Sequence, residues 1–131
     1  MRTSILSVLM AVSLAVSSAF AAGTVHPVVA MGDGQIYKVL YTESSWMSLA
    51  IPLRVLGGDV PSDVSLSVSG LPDGTTITLD SVRQVGGMLL LEVTVSRDDD
   101  TLAVYDTAII TVKSGDQILT TLSIPVMGAA Y

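Results

Sequence analysis

Hydrophobic and polar residues alternate along most of the chain from Trp46 onward. The odd positions from Met47 to Val55 are all apolar, and the valines and leucine of 64–69 alternate with three serines. In an extended strand, successive side chains point to opposite faces, so a period of two buries one face and exposes the other. The pattern therefore predicts half-buried β-strands, and no segment beyond the N-terminus has a convincing helical period.

Turn residues divide the chain into about seven predicted strands. They span residues 36–41, 46–56, 64–69, 76–79, 88–96, 102–113 and 122–126. The register of 102–113 is ambiguous, and Ala108, Ile110 and Val112 are its preferred inner face; Leu122, Ile124 and Val126 are assigned to the closing strand. Short strands at this spacing predict an all-β, immunoglobulin-like β-sandwich. A small β-barrel is the alternative, because alternation is the same in a closed sheet.

Turn chemistry predicts how neighbouring strands are joined. Leu71-Pro72-Asp73-Gly74 predicts a turn that reverses the chain between two strands, and Ser114-Gly115-Asp116 predicts a hairpin. Pro52 has no N–H group, so we expect it at a sheet edge or a bulge.

The stretch Leu66 to Leu79 (LSVSGLPDGTTITL) resembles a unit of immunoglobulin-like modules in bacterial and archaeal cell-surface and secreted proteins. The resemblance extends over residues 46–126, including Gly86-Gly87 before a strand and a closing hairpin. It implies a spacer or adhesion unit without catalysis of its own. Because the sequence has one copy of the unit, we expect either a free binding module or association with copies of itself or a larger partner.

The N-terminus is predicted to be a signal peptide of residues 1–21. Arg2 precedes an apolar run, and Ala19 and Ala21 match the small residues of a cleavage site. Residues 22–35 are predicted to be a flexible tail and 36–131 the sandwich domain. The mature chain is expected to be extracytoplasmic (periplasmic, secreted or on the cell surface), with no membrane span.

The excess of acidic residues narrows the classes of molecule that the protein is expected to bind. The chain carries 6 basic and 12 acidic residues and no cysteine. This balance disfavours nucleic acids and anionic membranes, which are bound by clusters of Lys and Arg. An extracytoplasmic protein, a glycan or another copy of the chain remains as partner.

Few residues offer chemistry, and no catalytic, cofactor or metal site is predicted. His26 is the only histidine, and no Gly-x-Ser-x-Gly motif accompanies it. Asp98-Asp99-Asp100 is read as a solvated turn; calcium binding there stays an alternative that needs further ligands from Asp59, Asp63 or Asp116.

Two groups of residues are candidates for interaction. Tyr37, Tyr41, Trp46 and Tyr105 could stack on a sugar if exposed, although packing around the core is the expected arrangement. Val25, Val29 and Met31 share one side of the extended tail and are the candidate intermolecular strand, which would make the protein a self-assembling, pilus-like filament subunit. A frayed terminus or pairing within the domain are the alternatives.

Overall fold

The computed structural model describes residues 24–131, so the predicted signal peptide lies outside the described residues. This part of the chain forms ten β-strands and one short 3₁₀ helix. The strands are β1 Val25–Pro27, β2 Val29–Gly32, β3 Gln35–Tyr37, β4 Leu40–Tyr41, β5 Ser44–Pro52, β6 Val64–Ser69, β7 Thr75–Val85, β8 Met88–Arg97, β9 Val104–Ser114 and β10 Gln117–Gly128; the 3₁₀ helix is Leu53–Leu56.

The strands form two open sheets. The first sheet has the order β1-β10-β9-β6, with β4 also paired to β10, and the second has the order β3-β2-β5-β8-β7. The all-β class and the two-sheet sandwich are confirmed. The barrel alternative is wrong, because each sheet ends at unpaired edges within the described residues instead of closing on itself.

The core lies between the sheets and is aliphatic. Its fully buried side chains come from inward positions on both sheets, among them Leu49, Ile51, Leu89, Leu91, Val93, Ala108, Ile110, Val112, Leu122, Ile124 and Val126. The inner face preferred for β9, with Ala108, Ile110 and Val112, is confirmed. No aromatic side chain of residues 24–131 belongs to this buried set.

Leu71-Pro72-Asp73-Gly74 forms the predicted turn between two strands, but these two strands are not paired with each other. The strand before it, β6, pairs with β9 in the first sheet, whereas β7 after it pairs with β8 in the second. The Thr75 amide donates to the Pro72 carbonyl at 3.1 Å, which closes the predicted turn. Turn residues fix a change of direction but not the partner of the next strand, so here the turn carries the chain from one sheet to the other.

The predicted strand 46–56 ends at Pro52. That residue has no N–H to donate, and after it the chain coils into the 3₁₀ helix, where Leu56 is buried and Val55 only partly so. The expected inward position of Val55 is thus taken by Leu56. The hairpin predicted at Ser114-Gly115-Asp116 is confirmed, since Ser114 and Gln117 are directly paired across it.

The N-terminal segment is ordered into both sheets from Val25 onward, unlike the expected flexible tail. It pairs parallel to β10 as β1 and antiparallel to β5 as β2. Asp33 and Gly34, expected as a flexible joint, have φ angles of 50° and 72° in the tight turn between β2 and β3. Two positive φ angles are the signature of a type I′ hairpin turn, which fits the twist of the strands.

Candidate ligand-binding site

Three aromatic side chains touch one another on the surface of the sandwich. The rings of Tyr37 and Trp46 meet edge to face with centroids 5.5 Å apart, and those of Tyr37 and Tyr41 do so at 6.1 Å. Residues 36–41 were predicted as one strand, but the chain crosses between sheets after Tyr37, which places Tyr41 on β4. We call Tyr37, Tyr41 and Trp46 the aromatic cluster.

A β-bulge lies next to Trp46, on the solvent-facing side of β5. The register of β5 against β8 shifts between Ser44 and Met47, so that one extra residue must be accommodated there. With this extra residue, Ser45 and Trp46 are both exposed between the buried Ser44 and Met47. Met47 is buried, whereas Trp46 keeps 45% of its surface exposed. A β-carbon on Gly32 would overlap the indole ring, so only glycine lets the ring lie against β2.

Trp46 forms one wall of a groove of about 460 Å³ on the outer face of the second sheet. The turn at Asp33 and Gly34 continues this wall. Ser48 and Leu90 lie at the centre of the sheet and are almost completely buried. The opposite side carries Arg83, Val85 and Glu92 from β7 and β8, and Met31 of β2 completes the lining. We call this the Trp46 groove.

Hydrogen bonds preset the polar side of the groove. Glu92 accepts from the Ser81 hydroxyl at 2.7 Å and from Arg83 Nε at 3.1 Å. These bonds, that from Ser81 first, hold the pKa of Glu92 below its ordinary value, so the carboxylate stays ionised. Arg83 uses only its Nε in this pair, which leaves both terminal amino groups available to a ligand.

Ser48 adds a hydroxyl that is buried beside the groove. The residue is only 7% exposed, and the described residues supply no hydrogen-bond partner for its side chain. A buried polar group without a partner is costly, and most such groups are satisfied by protein or by ordered water. The groove therefore combines an aromatic wall with side chains that donate hydrogen bonds and side chains that accept them.

The other predicted candidates lie apart from this groove or at its rim. Met31 lines it, whereas Val29 pairs with Ala50 on β5 and Val25 with Thr121 on β10. His26 lies on β1 with an exposed side chain, opposite Leu122. Tyr105 is 74% exposed on β9, opposite Met127 of the first sheet.

The Asp98–Asp100 loop lies at the opposite end of the sandwich from the acids expected to help it bind calcium. Asp63 and Asp116 adjoin the end where Val64 pairs with Ser114, while the loop precedes Val104 at the other end of β9. Asp99 accepts hydrogen bonds from the hydroxyl and amide of Thr101, which lower its pKa. Among residues 24–131 no three His, Cys, Asp or Glu side chains are grouped for a metal ion.

A buried arginine holds this same end together. The side chain of Arg97 is 2% exposed and binds both carboxylate oxygens of Glu43, at 2.9 and 3.0 Å. It also donates to the carbonyls of Leu102 and Ala129, at 2.7 and 2.6 Å, and lies over the ring of Tyr131. We interpret this set as structural, because all three guanidinium nitrogens of the arginine donate to groups of the domain itself.

Sequence reasoning had named the aromatic residues but not the groove. The polar residues Ser48, Arg83 and Glu92 lie on three different strands, and only the register of β7 and β8 brings the last two together. No helix within residues 24–131 has the length and apolarity needed to cross a membrane. Comparisons of the chain with protein-family models, curated proteins and solved structures give no match.

Proposed function

We propose that this protein is a non-catalytic, extracytoplasmic binding module that uses the aromatic cluster and the Trp46 groove as its contact surface. One observation carries the proposal: none of the five aromatic residues of the described chain is fully buried, and three of them form one cluster whose Trp46 lines a groove. Aromatic side chains normally supply much of a domain's buried surface. At a surface they are the residues most enriched in the energetic centres of interfaces.

Strand order supports the immunoglobulin-like class. If β2 and β5 to β10 are lettered A to G, the second sheet reads A-B-E-D and the first reads C-F-G. That is the division of seven strands in immunoglobulin domains of the constant type. The short β1, β3 and β4 are additions at the sheet edges.

Extracytoplasmic location is the part of the proposal that depends on the leader. It is supported by the positive start, apolar run and small-residue site of residues 1–21. Expression of the full chain in a bacterium, followed by mass spectrometry of the periplasmic fraction, should give a mature N-terminus at Ala22. A chain that keeps Met1 in the cytoplasm would contradict this part of the proposal.

The binding function is tested with paired proteins. Wild-type protein and Trp46→Ala are passed over immobilised panels of purified surface proteins and of oligosaccharides. We expect at least one ligand that binds the wild type and binds the variant at least tenfold more weakly, because a central aromatic contact contributes about 2 kcal/mol or more. Tyr105→Ala removes an exposed aromatic outside the groove and serves as control. If every ligand found binds both variants equally, the contact surface has been assigned wrongly.

A second candidate function is a filament subunit that exchanges its N-terminal strand. The observation that favours it is the edge position of β1, whose three residues are all exposed and pair with β10 alone. Such a strand has little side-chain burial to hold it within its own domain. The same parallel register can form between two copies, which is the donor-strand mode of assembly.

Cysteine cross-linking distinguishes the two arrangements, because the chain has no cysteine of its own. Val25 and Thr121 are register partners, so Val25→Cys with Thr121→Cys places the two sulphurs within reach. If the strand is exchanged, the disulfide joins two copies and non-reducing gels show covalent multimers. If the disulfide forms only within one copy and the gels show only monomers, strand exchange is refuted. Removal of residues 22–27, which spares the core residue Ala30 of β2, should dissolve any assembly observed by light scattering.

A further inference from the structure

We infer that the Trp46 groove binds an uncharged glycan, with a sugar ring stacked on the indole of Trp46. This inference rests on the proposed binding function and names the ligand class of the same site. A sugar ring presents C–H groups on its face and hydroxyls around its rim. It therefore needs an aromatic surface and, beside it, groups that both donate and accept hydrogen bonds.

The aromatic surface is held in place before any ligand arrives. Trp46 lies against the backbone of Gly32, and the ring of Tyr37 meets it edge to face at 75°. Two neighbours thus restrict the indole while 45% of the residue stays exposed. A preset ring loses little side-chain entropy when a ligand stacks on it.

The polar groups of the groove match sugar hydroxyls in kind. Ser48 can donate and accept, Glu92 accepts, and the terminal amino groups of Arg83 donate. A ligand hydroxyl at Ser48 would satisfy a buried side chain that has no partner among the described residues. This requirement for a polar group at the centre of the groove favours a glycan over an apolar peptide side chain.

Charge selects uncharged sugars among glycans. The groove carries the carboxylates of Asp33 and Glu92 against the single cation of Arg83, which is already paired with Glu92. The whole chain has a net charge of −6. A uronic or sialic acid would therefore meet net repulsion, whereas a neutral sugar would not.

The test is an array of immobilised oligosaccharides that contains glucans, mannans, xylans and chitin fragments together with polygalacturonate, alginate and sialylated glycans. We expect binding to at least one neutral member and none to the acidic members. The affinity for that neutral oligosaccharide is then measured by titration calorimetry. Absence of binding to all neutral members at millimolar concentration would overturn the inference.

Variants locate the bound sugar. Trp46→Ala should weaken binding at least tenfold, while Trp46→Phe, which keeps a ring against Gly32, should recover part of the loss. Ser48→Ala should weaken binding about fivefold through loss of one buried hydrogen bond. Tyr105→Ala, outside the groove, should bind as the wild type does. Equal affinities of wild type, Trp46→Ala and Ser48→Ala would overturn the inference.

The failure of this inference is separable from failure of the proposed function. If the ligand that depends on Trp46 is a protein or an acidic glycan, the groove is a binding site but the neutral-glycan assignment is wrong. If a neutral glycan binds and is lost on Tyr105→Ala but not on Trp46→Ala, both the assigned surface and the sugar site are wrong.

Discussion

Arg97 shows how one charged residue can be accommodated in the end of an otherwise aliphatic sandwich. Burial of an unpaired guanidinium is strongly unfavourable, so its neighbours must supply compensating groups. Glu43 supplies the charge, and it does so from a backbone φ of 58°, a conformation that non-glycine residues rarely adopt. The strained turn at Glu43 is thus tied to the end of β8.

The pH dependence of stability should reflect this pair. The hydrogen bonds from Arg97 lower the pKa of Glu43 in the folded state. A lowered carboxyl pKa stabilises the fold above the ordinary value of about 4.3, and this stabilisation is lost as pH falls through the lowered pKa. Glu43 is 41% exposed but its partner Arg97 is only 2% exposed, so we expect Glu43→Gln to cost about 1–3 kcal/mol at neutral pH.

Urea unfolding at neutral pH and at about pH 3 measures this contribution. The difference between wild type and Glu43→Gln should shrink at the lower pH. Asp106→Asn removes an exposed carboxylate on β9 and is the control. A Glu43→Gln difference that is equal at both pH values would show that the ion pair does not contribute.

Gly32 sets the position of Trp46. Because a β-carbon there overlaps the indole, Gly32→Ala should displace the ring and cost about 1–3 kcal/mol through overpacking. The chain has one tryptophan, so its fluorescence reports this displacement directly. Gly34→Ala, where φ is 72° and no atom lies near the added carbon, should destabilise the turn but leave the emission unchanged. Unchanged emission in Gly32→Ala would contradict the packing of the Trp46 indole against Gly32.

At the scale of elements, the segment after β5 forms a 3₁₀ helix where alternation predicted a strand, and the two arrangements bury different residues. A strand through residues 46–56 would bury Val55 and expose Leu56, whereas the 3₁₀ helix buries Leu56. We therefore expect Leu56→Ala to cost about 2–4 kcal/mol and Val55→Ala less than about 1 kcal/mol. Thermal or chemical unfolding of the two variants gives the comparison, and the reverse order would restore the strand.

Alternation predicted the faces of the long strands because burial of one face is a local property of each strand. Ala108, Ile110 and Val112 are inward for that reason. Which strands pair with each other was not predictable in the same way. The residues of the Leu71–Gly74 turn are equally compatible with a hairpin and with a crossing between sheets. Trp46 is exposed as alternation from the buried Met47 indicates, whereas the bulge before it was not predictable, since neither Ser44 nor Ser45 signals one.

Across the whole molecule, central and peripheral strands differ in how many neighbouring strands they pair with. The central strands β5, β8, β9 and β10 pair on both sides, while β1, β3 and β4 are short and peripheral. We expect the slowest amide hydrogen exchange in the central strands and the fastest exchange among strands in these three, because edges open locally without global unfolding. Mass spectrometry of exchanged fragments measures this order. Exchange in β1 as slow as in β10 would contradict it and would weaken the case for strand exchange.

The parallel pairing of β1 with β10 also determines how the domain would carry a mechanical load. These strands stand near the two ends of the described chain and run side by side in the same direction. A pull that separates the chain ends would slide one strand along the other and load their hydrogen bonds together, instead of opening them one by one. Resistance to force depends on the rate of unfolding, so this short contact can govern the response of the domain to tension.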